Sequence, residues 1–264
     1  MKYEEVDGIC AFSFYLFGGK PVKARVLTRN GGISLTPWNS LNLGGTVGDE
    51  PQRVAENKNR VMQAYRLDPE CVFDVWQVHS ADWVYATNHR RANEPHQRAD
   101  IIITDKPGLT LMMRFADCVP LFVYDPINHA SGMAHAGWQG TLKNVAGMLV
   151  KAMKEKFASQ PESLLAGIGP AICMEHYPVG VETFAQFMEL PGCAEESAVS
   201  TSNGSHHLDL KKINELQFRL AGVNTVENSS MCTACQEELW FSHRRDKGRT
   251  GRFGAFIQLD TVMK

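Results

Sequence analysis

The sequence predicts an α+β fold in which β-sheets are packed with helices in a single layered domain, residues 1–264. Three observations carry this. Strand-like apolar runs are frequent and cluster in the middle of the chain. Helical periodicity is confined to four segments. Strands and helices do not alternate strictly, as a doubly wound sheet requires. At 264 residues, 44% hydrophobic and 21% charged, the chain approaches the upper limit of one hydrophobic core and can fill it. No internal repeat, low-complexity tract or linker divides it.

Apolar runs of strand length fall at 24–28, 72–77, 83–86, 99–104, 109–113, 121–124, 130–136, 165–169 and 253–258. The first helical segment, 51–66, places Val54, Val61, Met62 and Tyr65 among charged residues. The second, 140–157, carries Leu142, Val145, Ala146, Leu149, Val150 and Met153 at helical spacing, with Lys151, Lys154 and Lys156 toward its C-terminus, where the helix dipole favours cations. Shorter helices are expected at 181–188 and 210–221. Glycine-rich turns occur at Asn30-Gly31-Gly32, Asn42-Leu43-Gly44-Gly45, Ala136-Gly137-Trp138-Gln139-Gly140 and Gly167-Ile168-Gly169-Pro170. None has the Gly-Lys-Ser/Thr ending of a phosphate loop, and no G-x-G-x-x-G opens a helix.

Charge and cysteine content narrow the function. Lys+Arg total 27 against 29 Asp+Glu, a net charge of −2, which gives no electrostatic case for nucleic acid or an acidic membrane surface. The N-terminal apolar run 9–17 is too short to span a bilayer, and Glu4, Glu5 and Asp7 stand where a signal peptide needs basic residues. Seven scattered cysteines, an odd number in a long chain, do not read as a secreted disulfide scaffold. A cytoplasmic protein with no obligate protein partner is expected.

Three segments carry chemistry: Trp76-Gln77-Val78-His79-Ser80, Phe115-Ala116-Asp117-Cys118-Val119-Pro120 and Met133-Ala134-His135-Ala136-Gly137-Trp138. Each puts one borderline or soft ligand at the end of an apolar strand, where side chains from a rigid scaffold can converge on a cleft. Two imidazoles and a thiolate suit zinc and leave a fourth position open, as catalytic zinc sites do. Asp117, beside the cysteine, can orient a histidine ligand from behind. The spacing of His79, Cys118 and His135 matches no local zinc-finger pattern, so spacing alone also permits a buried thiol and two core histidines.

The same segments belong to a longer series. Thr28-Arg29-Asn30-Gly31-Gly32-Ile33-Ser34, Pro37-Trp38-Asn39-Ser40-Leu41-Asn42-Leu43-Gly44 and Val47-Gly48-Asp49 come first. Gln77-Val78-His79, Ala99-Asp100, Ala116-Asp117-Cys118-Val119-Pro120 and His135-Ala136-Gly137-Trp138 follow. Gly167-Ile168-Gly169-Pro170, Cys232-Thr233, Phe241-Ser242-His243-Arg244-Arg245-Asp246 and Thr250-Gly251-Arg252 complete it. In this order they resemble the family of YfiH-type purine nucleoside phosphorylases, long described as laccase-domain or multicopper polyphenol oxidases. The resemblance implies a two-layered α+β fold and metal ligands at His79, Cys118 and His135. It also implies phosphorolysis of adenosine, inosine, guanosine or methylthioadenosine with phosphate as co-substrate, and deamination of adenosine. Cys118 and Asp117 are then the expected catalytic residues. Arg29 and Arg244 are candidate anion contacts. Asn42, Gln77 and Asp100 are candidate partners for ribose or base.

Two features depart from that family. Its adjacent cysteines before Tyr-Glu-Val-Gly are replaced by Glu175-His176-Tyr177-Pro178-Val179-Gly180, and Cys232-Thr233-Ala234-Cys235 adds a second cysteine. A Cys-x-x-Cys pair can chelate metal, but buried packing is its ordinary reading. His206-His207 reads as an exposed loop; His89, His96 and His129 read as surface residues. Three rival functions remain. Copper binds His and Cys ligands, but a multicopper oxidase needs clustered histidines, and nine histidines with no His-x-His pair fit it poorly. A metal-free hydrolase would use Cys118 as nucleophile and His79 or His135 as base. A non-catalytic binding module would close the metal's coordination with a fourth ligand.

Overall fold

The computed structural model describes residues 1–91, 94–196, 198–202 and 204–261. The first half of the chain forms β1 (Lys2–Val6), β2 (Ile9–Ser13), β3 (Val22–Leu27), α1 (Pro51–Tyr65), β4 (Val72–Phe73), β5 (Trp83–Tyr85), β6 (Ile101–Thr104), β7 (Thr110–Phe115), β8 (Val119–Asp125) and β9 (Ala130–Ala136). The second half forms α2 (Trp138–Leu142), α3 (Val145–Phe157), β10 (Leu165–Ile168), β11 (Pro178–Val179), α4 (Val181–Met188), β12 (Val199–Ser202), β13 (Ser205–Leu208), α5 (Leu210–Leu220), β14 (Thr225–Asn228) and β15 (Phe253–Leu259).

Two six-stranded sheets dominate, ordered β1-β2-β3-β15-β7-β4 and β14-β10-β8-β9-β6-β5. Side-chain alternation along the strands stacks them. On β15, Phe253, Ala255 and Ile257 join Phe122 and Tyr124 of β8 and Met133 of β9 in a core between the sheets. The opposite face of the first sheet, with Phe256, Met112 and Leu27, packs on Val61, Met62 and Ala64 of α1. The opposite face of the second, with Leu121, Val123 and Ala134, packs on Leu149 and Met153 of α3 and on Ile213 of α5. The layers are therefore four, helix, sheet, sheet and helices, rather than the expected two. Strands buried on both faces carry mostly apolar residues, which is why β8, β9 and β15 read as near-continuous runs.

Three local differences have physical causes. The helix expected over 140–157 breaks after Leu142, because Asn144 turns left-handed (φ 60°) and its side chain accepts from the Gly147 N–H to cap α3. The N-terminal apolar run is half of a β1–β2 hairpin closed by Asp7-Gly8, both at positive φ. His206 and His207 lie on β13 of a small sheet ordered β11-β13-β12, and both are half-buried, not in an exposed loop.

Candidate active site

Cys118 sits in the turn between β7 and β8, His135 lies on β9 opposite Pro120, and His79 lies in the loop leading to β5. The fold brings their ligand atoms within 4.8 Å of one another. Asp100, fully buried at the start of β6, organises this group. Its Oδ2 accepts from the Val78 N–H (3.0 Å), the Ser80 N–H (2.6 Å) and the Ser80 hydroxyl (3.0 Å). These bonds staple the turn that holds His79 at φ 59°, a conformation few non-glycine residues adopt. The other oxygen, Oδ1, faces His135 Nδ1 at 2.8 Å. A carboxylate can only accept, so Nδ1 carries the proton and Nε2 is the free ligand atom. One buried carboxylate thus fixes two of the three candidate ligands. Asp117, the residue expected to do this, instead accepts from the Thr233 hydroxyl (2.6 Å) and the Arg244 N–H (2.7 Å).

The group suits a cation. Burial works against a charged His135 ring, but the Cys118 sulfur and the Asp100 carboxylate outweigh it and lift the pKa to about 9. At His79, burial and the nearby His135 push the pKa down. Gly137 makes room for the trio: a Cβ there would lie 2.7 Å from His79 Nδ1 and 3.1 Å from Cys118 Sγ. Its φ of −76° is open to any residue, so contact, not backbone strain, is what favours glycine.

The three residues open onto a cavity of about 650 Å³, in the range of small-molecule sites. Part of its wall is cationic. Lys58 from α1 lines it with Arg114 from β7 and with Arg90 and His96. Asp74 takes Arg114 (2.6 Å), Arg90 (2.8 Å) and His96 (3.2 Å) on its two oxygens. Burial opposes ionisation of Asp74, but these cations hold its carboxyl well below the usual range. Among the described residues Lys58 has no such partner, and burial and the Arg114 charge push its pKa down. Arg252 also lines the cavity, with Cys118 and Asp117 as its nearby charges. Trp76, Trp138 and Tyr177 supply aromatic faces, with the Arg244 guanidinium 4.7 Å from the centre of the Tyr177 ring.

Of the other expected contacts, Gln77 and Arg244 line the cavity. The Gln77 amide pairs with the Arg114 backbone in both directions (2.8 and 3.0 Å). Arg29 and Asn42, also expected as substrate contacts, do not line it. Arg29 donates to Asn39 and to the Glu237 carbonyl and stacks on Phe241. Asn42 is buried and spends its amide on Gly44, Asp49 and the Arg252 N–H. Asp100 is likewise committed, to His135 and the 78–80 turn. His96, expected on the surface, is part of the cationic wall. Lys58 and Arg114 are the residues sequence reasoning missed, because each looks like a solvated charge until the fold turns it inward.

Residues 23–260 match the family described as multi-copper polyphenol oxidoreductase laccase, and the chain belongs to that family. Within it, the chain is similar to purine nucleoside phosphorylase YlmD of Bacillus subtilis, 36% identical over 90% of this chain and 88% of that protein. It is also 36% identical to purine nucleoside phosphorylase YfiH of Escherichia coli, over 91% and 95% of the two chains. Among solved structures, hypothetical protein YfiH of Bacillus licheniformis superposes with a TM-score of 0.90 at 34% identity, covering 98% of this chain and 99% of that one. YlmD of Geobacillus stearothermophilus gives a TM-score of 0.89 at 33% identity, covering 98% of each.

Proposed function

We propose that this chain is a purine nucleoside phosphorylase that uses phosphate as co-substrate, holds zinc at His79, Cys118 and His135, and also deaminates adenosine. Adenosine, inosine, guanosine and methylthioadenosine are the proposed nucleosides. The observation that carries the reading is one cavity lined both by the three-ligand centre and by Lys58, which has no carboxylate partner among the described residues and has Arg114 beside it. The names of the YlmD and YfiH relatives agree with it. We read residues 1–264 as one catalytic unit, because the cavity lining runs from Gly44 to Arg252. Seven free cysteines suit a reducing cytoplasm, and no helix among the described residues is long and apolar enough to cross a membrane.

When bound, zinc supplies Lewis-acid stabilisation of developing negative charge and activation of water. The remaining chemistry falls to the chain's own groups. Phosphorolysis breaks the bond between C1′ and the purine nitrogen while a phosphate oxygen bonds C1′, so phosphate must be held close and its charge offset. Lys58, with Arg114 fixed beside it by Asp74 and the Leu43 carbonyl, is placed for that task. Arg244, held over Tyr177 by the Pro178 carbonyl, is our candidate substrate contact. Asp117 holds Thr233 and the Arg244 backbone through its two side-chain bonds and so anchors the turn that carries Cys118. The copper oxidase reading is weaker. Among the described residues, the two His/Cys groups able to hold metal contain three histidines between them, His79, His135 and His176, too few for several coppers.

Lys58→Met tests this assignment. Losing one charge-assisted contact, about 1.5–3 kcal/mol, should raise the KM for phosphate roughly 10- to 100-fold. Deamination of adenosine, which consumes water, should change less than about 2-fold, within the effect of a distant charge. An unchanged phosphate KM in initial-rate measurements would remove Lys58 from the anion site.

A further inference from the structure

Outside the cavity, a second set of soft ligands converges. Cys173 and His176 come from the turn after β10, and Cys232 and Cys235 from the loop after β14. All four ligand atoms lie within 4.8 Å of one another, and none of these residues lines the active cavity. We propose that Cys173, His176, Cys232 and Cys235 form a closed tetrahedral zinc site, structural in role and separate from the catalytic centre.

The distances favour a metal over a disulfide. Cys173 Sγ and Cys235 Sγ are 3.9 Å apart, and each lies near His176 Nδ1, at 3.2 and 3.4 Å. Bonds of ~2.3 Å to sulfur and ~2.0 Å to nitrogen in a tetrahedron put neighbouring ligands about 3.5–3.8 Å apart, whereas a disulfide needs about 2.05 Å. The spacing repeats: each segment offers two ligands three residues apart, and a Cys3His set is a zinc donor set. The surroundings suit a thiolate at Cys232. Cys232 Sγ accepts from the backbone N–H groups of Cys173 (3.2 Å) and Cys235 (3.4 Å). Three thiolates, a neutral imidazole and Zn²⁺ leave one negative charge. The buried Lys211 ammonium, held by the Ser229 and Met231 carbonyls, has these three cysteines among its neighbouring charges.

The fold already aligns the two segments. Ala171 and Cys232 form a parallel bridge, and His207 Nδ1 donates to the Met174 carbonyl at 2.8 Å. Half-burial of His207 on β13 is thus explained by its hold on the ligand turn. The next residue after His176 is Tyr177, which lines the active cavity. Thr233, between the two loop cysteines, donates to Asp117. The second metal therefore ties together two segments that shape the catalytic pocket. His176 and Cys235, the two departures from the family's pattern, are both ligands in this arrangement.

Elemental analysis of protein prepared without metal supplementation tests the proposal. Wild type should hold about two zinc ions per chain. Cys118→Ser and Cys235→Ser should each hold about one, and the double variant none. Cys235→Ser should also melt roughly 10 °C lower, as loss of a ligand bound only by the folded state requires. Should Cys235→Ser not fold, cobalt loading of Cys118→Ser gives the second readout: intense thiolate-to-cobalt absorption from the intact Cys3His set. Wild-type zinc content in Cys235→Ser, or loss of all zinc in Cys118→Ser, overturns the site. So does absence of the cobalt band, or a Cys173–Cys235 disulfide in the freshly purified protein. A failure of the phosphorylase reading would appear in product assays and leave these metal counts unchanged.

Discussion

Cys118→Ser should lower nucleoside turnover by roughly 10³-fold, beyond the ~10–100-fold that loss of a group behind a metal ligand costs. Zinc at the catalytic centre should fall well below one per chain. The reason is the proposed donor set: His79 and His135 would supply two neutral nitrogens, and Cys118 the only anionic ligand of the three. A serine hydroxyl at the same place is a far weaker donor near neutral pH. Cys118 is half-buried in a turn, and sulfur-to-oxygen exchange there should cost about 1 kcal/mol of stability or less. Circular dichroism and thermal melting should therefore remain close to wild type while metal content and rate collapse. Full zinc occupancy with full turnover would sink both the metal-centre reading and the cysteine-nucleophile rival. Normal zinc with no turnover would favour the nucleophile.

Asp100→Asn should reduce metal affinity and activity together, by about 10- to 100-fold. Asparagine is nearly the same size, so the loss comes from hydrogen bonding alone. In the native site one oxygen accepts three bonds from residues 78 and 80 while the other faces His135 Nδ1. An amide has one acceptor oxygen. Aimed at the 78–80 turn, it leaves NH2 facing the His135 Nδ1–H, two donors nose to nose. Aimed at His135, it leaves NH2 against three donors and frees the strained His79 turn. Either way one metal ligand is misplaced. Asp100 is thus a positioning residue. The readout that separates this from general destabilisation is recovery of rate at high zinc concentration, because weakened affinity is overcome by mass action. If excess zinc restores nothing and the variant melts as wild type does, Asp100 acts otherwise.

The sequence made the centre of the fold legible and the periphery much less so. Runs such as 121–124 and 130–136 are buried on both faces, so every residue reports the strand. The strands β11, β12 and β13 are two to four residues long, and single apolar residues such as Val179, Val199 and Leu208 are too few to mark them. The β1–β2 hairpin was readable in principle, since Asp7-Gly8 between alternating residues is a strong turn signal. At the site, the motif words around His79, Cys118 and His135 singled out three side chains that the fold brings together. The histidine-orienting role read for Asp117 falls to Asp100, because Asp117 adjoins Cys118 in sequence while Asp100 adjoins His135 only across the β6–β9 ladder. Lys58 stayed hidden among the charges of an amphipathic helix, and only the packing of α1 turns it toward Arg114. The Cys232-x-x-Cys235 pair was too little by itself; its partners lie about sixty residues away and meet it only in space.

Separation of the products formed from adenosine, once with phosphate and once without, tests the central claim most directly. Phosphate is the nucleophile in phosphorolysis, so adenine and ribose-1-phosphate should appear in equal amounts only when it is present. Deamination consumes water, so inosine should form in both reactions. Adenosine left intact under both conditions by zinc-loaded protein, with rapid oxidation of a phenolic dye by copper-loaded protein, would contradict the account.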